Sequence, residues 1–143
     1  MAEALFKNVV GSQDKLSEVE ISSAGIFAKD GETASANAIR VIREFGADLN
    51  EHRAKRLTKE MVDSAELILS MTAQHKQHII QIYPGAQDKV YTLTEFAYLD
   101  EDGIDNKNLD ITDPYGMPAE VYKACAGEIF NILKRIYEKI IDG

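Results

Sequence analysis

At 143 residues, with 45% hydrophobic and 28% charged side chains, the chain is sized for one globular domain that buries a proper core. A formal net charge of −8 argues against nucleic acid and anionic membrane surfaces as partners, since both repel an acidic protein. The single cysteine, Cys125, excludes an internal disulfide and fits a reducing cytoplasm, and no apolar run approaches the length of a membrane span.

Taken in order, Met1 to about Val10 places Ala2, Leu5, Phe6 and Val9 on one helical face, with no capping residue ahead of them. Glu18 to Ser23 alternates, with Val19 and Ile21 on one side, and predicts a strand ending at Ala24-Gly25. Ser35 can cap a helix running to Phe45, with Ala38, Ile42 and Phe45 inward and Gly46 as its stop. A polar connection follows, carrying His52, Arg53 and Arg56, and Thr58 then caps a short helix, Lys59 to Ser64. Leu67-Ile68-Leu69 is an unbroken apolar run, as expected of a strand covered on both faces. Thr72 caps the next helix, which Pro84-Gly85 ends, and Val90 to Phe96 has the β-branched and aromatic make-up of a third strand. Tyr98 to Leu109 reads as an acidic loop. From Pro118 to Ile141 runs the longest helix, with Val121, Cys125, Ile129, Leu133, Ile136 and Ile140 as its stripe. Strands separated by helices predict an α/β layered fold with a parallel sheet, whose ligands sit at the carboxyl ends of the strands.

At that edge falls Asp110-Ile111-Thr112-Asp113-Pro114-Tyr115-Gly116. A residue before Pro is held away from helical dihedrals, and Gly116 permits a tight return, so Asp113 and Tyr115 are presented side by side. A carboxyl and an aromatic so fixed could hand a proton to a leaving group and flank a planar substrate. An ordinary Asp-Pro-x-Gly turn ahead of a helix explains the same residues. Other constellations carry less. His75 and His78 share a helical face but have no local carboxylate or cysteine to complete a metal site. The acidic run from Asp100 has Asp105 and Ile111 where a calcium loop needs Gly and Glu, so it reads as solvated.

Five segments in register resemble one family along the whole chain: Met1 to Phe6, Ser23-Ala24-Gly25, His52-Arg53-Ala54-Lys55, Ala65 to Thr72, and Asp113-Pro114-Tyr115-Gly116. The family is that of the low-molecular-weight protein tyrosine phosphatases. Ser70-Met71-Thr72 with Gln74-His75-Lys76-Gln77, and Asp88 to Leu93, look most like its bacterial branch that includes protein arginine phosphatases. The resemblance implies a single domain over residues 1–143, no cofactor or metal, and phosphorylated proteins as substrates in the cytoplasm. It also implies that Asp113 is the general acid, and that Tyr115 and Phe27 are walls of the substrate cleft. His52, Arg53 and Arg56 could help a phosphorylated protein approach.

The chain departs from the family in one respect. There, a central first strand leads into a loop that starts with the nucleophilic Cys and ends six positions later in Arg, directly before the first helix. Six positions after Cys125 stands Asn131, and the cysteine sits on an apolar helical stripe, where burial makes a thiol inert. The expectation is therefore a domain incomplete at its N-terminus by roughly fifteen residues. Either more chain lies upstream, or the sheet is repaired by swapping or pairing in a homo-oligomer. As given, the chain is expected to be inactive. An arsenate reductase of similar fold would need further redox cysteines. The rival from another class is a non-catalytic binding or regulatory relic of a phosphatase.

Overall fold

The computed structural model describes residues 1–11, 20–26, 30–50, 52–99 and 110–142. Among these residues, six helices and two strands follow in the order α1 (Ala2–Gly11), α2 (Ala36–Glu44), α3 (Lys59–Ser64), β1 (Ile68–Ser70), α4 (Ala73–Ile82), β2 (Val90–Thr92), α5 (Leu93–Ala97) and α6 (Ala119–Asp142), with a 3-10 turn over Pro84–Lys89. The helix starts are set by hydroxyls, as their sequences require. Ser35, Thr58 and Thr72 each accept a hydrogen bond from the backbone N–H three residues on. After α2 the chain turns at Gly46, whose φ of 85° favours glycine.

β1 and β2 pair in parallel, Ile68 opposite Val90 and Ser70 opposite Thr92, with α4 as the crossover between them. Alternation along the strands then sorts their side chains to two faces. Ile68 and Val90 join Val62, Ile79 and Ala86 beneath α3 and α4. Leu69 faces the larger core of Leu5, Phe6, Ile42, Leu93, Ile129, Leu133 and Ile136, supplied by α1, α2, α5 and α6. The sheet thus lies between two helical layers, and the expected α/β architecture is present. Lys89 ties the turn after α4 to α3: its ammonium donates to the carbonyls of Val62 and Ala65 and so satisfies the C-terminal end of α3.

Three expectations are corrected. The strand read over Val90–Phe96 stops at Thr92, because Thr92 and Glu95 form a reciprocal capping box that turns the chain into α5. In the segment read as the strand Glu18–Ser23, residues 18 and 19 lie outside the described residues, and 20 to 23 form no ladder. Pairing there is confined to Gly25, which bridges Arg56 in parallel through two backbone hydrogen bonds. The inward face of α6 also differs. Val121 is exposed, while Tyr122, Ala126, Ile132 and Tyr137 are buried with Cys125, Ile129, Leu133 and Ile136. In the first turn of α6 Tyr122 takes the inward position, so Val121 beside it faces water.

Candidate functional site

The loop from 110 to 118 runs along the carboxyl end of β1 and is pinned link by link. The Asp110 carboxylate accepts the Ala73 N–H at 2.8 Å, at the start of α4. The Ile111 N–H donates to the Met71 carbonyl at 2.9 Å, and the Ile111 side chain is buried. The Cys125 thiol of α6 donates to the Thr112 carbonyl at 3.3 Å. Asp113 follows, exposed, with Oδ1 accepting the Tyr115 N–H at 3.0 Å. Oδ2 accepts no hydrogen bond among the described residues. A turn closes the loop: the Met117 N–H donates to the Pro114 carbonyl at 2.9 Å, over Gly116 at φ 79°. Tyr115 stands out from this turn, 81% exposed. Asn37 of α2 donates to the Met117 carbonyl at 3.3 Å and holds the far side.

The start of α1 lies beside this loop. Met1 packs against the core that includes Ile111 and Cys125. Burial raises the Cys125 thiol, and the carboxylates of Glu128 and Asp113 raise it further. A thiol so placed is a poor nucleophile, as its position on α6 led one to expect.

Glu3, in the first turn of α1, gathers a second set of contacts. Ser23 Oγ donates to it at 2.9 Å, Lys7 Nζ at 3.3 Å, and His52 Nδ1 lies 3.6 Å away. Partial burial raises the Glu3 carboxyl, and the Ser23 hydroxyl with the Lys7 and His52 charges outweighs it, so the net shift is downward. A depressed carboxylate contributes stability above its unfolded-state pKa, and that contribution is lost as pH falls through the folded value. Stability should therefore fall below about pH 4.3, the ordinary Glu value, and fall less steeply in Glu3→Gln. Urea midpoints measured from pH 6 to pH 3 test this, and parallel slopes for the two proteins would refute it.

The structure brings Asp113 and Tyr115 together on one loop, whereas Phe27 lies outside the described residues. His52 is turned toward Glu3, and the Arg53 guanidinium donates to the carbonyls of Asn50 and His52. His75 and His78 lie on α4, and no group of three metal-binding side chains occurs among the described residues. Sequence reasoning missed Asn37 and the Glu3–Ser23–His52 contacts. Only an acid in the first turn of α1 hinted at them, since the partners are distant in sequence.

With this geometry in place, comparisons with known proteins are informative. The model of the family "low molecular weight phosphotyrosine protein phosphatase" matches residues 1–142. A protein-arginine-phosphatase of Geobacillus stearothermophilus is 40% identical over 140 residues, which are 98% of this chain and 86% of the relative. The solved structure of the YwlE arginine phosphatase from Geobacillus stearothermophilus superposes with a TM-score of 0.83 at 39% identity, over 97% of this chain and 82% of the other. A low molecular weight protein tyrosine phosphatase from T. tengcongensis gives a TM-score of 0.85 at 38% identity, over 96% and 88% of the two chains.

Proposed function

The chain belongs to the low-molecular-weight phosphotyrosine protein phosphatase family, and on that premise we propose that it serves hydrolysis of phosphotyrosine or phosphoarginine on cytoplasmic proteins. The reading is of one domain over residues 1–143, and the match over 1–142 supports it. Asp113 is the general acid in this reading: it protonates the leaving group and then activates water against a cysteinyl-phosphate. Tyr115 and Phe27 wall the cleft. The observation that carries the proposal is the meeting of α1 and the Asp113 loop. In the family the phosphate-binding loop leads directly into the first helix, and here Met1 at the start of α1 packs against the core that holds Cys125 and Ile111, the latter in the Asp113 loop. That two protein-arginine-phosphatases match 98% of this chain favours phosphoarginine.

The 143 residues contain one thiol, Cys125, with no Arg six positions on. As an isolated polypeptide they should therefore give no turnover of phenyl phosphate. Joined behind a strand and Cys-to-Arg loop of the family's pattern, they should give turnover. A folded joined protein without activity would defeat the phosphatase reading. Turnover by the 143 residues alone would defeat the assignment of an inert Cys125.

A further inference from the structure

We propose that Asp110 is a positioning residue for Asp113, acting through the N-terminus of α4; this rests on the reading of Asp113 as the general acid. The argument begins with what α4 needs. Its N-terminal N–H groups require acceptors, and Thr72 already supplies a side-chain cap by accepting from His75 at 3.1 Å. The helix has its own cap, yet Asp110, 37 residues later in the chain, also accepts the Ala73 N–H, at 2.8 Å. A carboxylate at the positive end of a helix makes a strong, charge-assisted bond. That bond does more for the loop than for the helix.

Between this anchor and Asp113 the chain has no slack. Ile111 is tied by its backbone to Met71 and buried, Thr112 is tied through its carbonyl to Cys125, and Pro114 restricts Asp113 from the other side. Of the side-chain ties, the one from Asp110 is the shortest; those from Cys125 and Asn37 are both 3.3 Å. Asp110 is exposed, so its removal leaves no cavity. Its loss should free the loop without unfolding the protein.

The test reads the Asp113–Tyr115 hydrogen bond directly in the 143-residue chain, and needs no catalytic activity. The Tyr115 amide proton should titrate with the Asp113 carboxyl, an inflection that Asp113→Asn abolishes. In Asp110→Ala, exchange of the Tyr115 and Ile111 amides should quicken about tenfold, as loss of one charge-assisted bond implies. The Tyr115 titration should shrink as well. Amides within α4 and α6 should keep their protection. Asp110→Asn retains an acceptor oxygen and should restore most of both signals. Unchanged Tyr115 exchange and titration in Asp110→Ala would overturn the proposal. So would loss of protection throughout α4 and α6, which would make the role merely structural, or an Asn variant as loose as the Ala one. If Asp113 proves not to be the acid, kinetics of Asp113→Asn will show it, and these amide signals will be unaffected by that outcome.

Discussion

Asp113→Asn, placed in the joined protein that carries a Cys-to-Arg loop, should lower kcat on phenyl phosphate by about 10²–10⁴-fold, the range expected for removal of a general acid. The loss should depend on what departs. p-Nitrophenolate is stable enough to leave without a proton, so its ester should suffer least. Phenolate needs the proton more. A guanidine nitrogen is far more basic than either, so phosphoarginine should lose nearly all turnover. Binding should change little, because Asp113 is exposed and its Oδ1 is engaged by the Tyr115 amide, a bond that an Asn side-chain oxygen can also accept. Measuring kcat across the three substrates decides the matter. An equal fall for all would mean that Asp113 shapes the site and does not deliver the proton.

Ile136→Ala should cost about 2–5 kcal/mol, the range for deleting a large aliphatic side chain from a closed core. Ile136 is 0% exposed, on the face of α6 that shares a core with Leu5, Phe6 and Ile42. Against a total stability of about 5–15 kcal/mol, such a loss should move the urea midpoint substantially. Val121→Ala, on the same helix, should change stability by less than about 0.5 kcal/mol, because Val121 is 37% exposed. A pair of urea titrations separates the two. Equal costs would mean that Val121 is covered in solution.

What the sequence made legible was local chemistry. The hydroxyl caps at Ser35, Thr58 and Thr72 and the stop at Gly46 are single-residue devices, and all four stand where they were read. The apolar run at Leu67-Ile68-Leu69 likewise announced a strand covered on both faces. Val90–Phe96 was overextended because Leu93 and Phe96 suit a strand by composition, while Thr92 and Glu95 carry the opposite signal only as a pair. α6 was misread at Val121 because apolar residues stand at both 121 and 122, and the stripe does not say that Tyr122 takes the inward position. The candidate site divides in the same way. Asp113, Pro114 and Gly116 announced a turn presenting a carboxyl and an aromatic. The ties from Asn37 and Cys125 that hold this turn join segments with no shared period, and only the folded chain brings them together.

The two cores on either side of the sheet also differ in what they demand of a growing chain. The cluster under α3 and α4 is drawn from residues 57 to 90 and Ile26, nearly all neighbours along the polypeptide. The larger one requires Leu5 and Phe6 of α1 to meet Ile129, Leu133 and Ile136 of α6, from opposite ends of the sequence. During synthesis the first can consolidate as soon as β2 has emerged, at little cost in loop closure. The second must wait for α6, and until then α1 shows its apolar face to water. On the ribosome, therefore, the half that holds α4 in place settles early, and the loop that rests on α4 must wait for α6, whose Cys125 ties it.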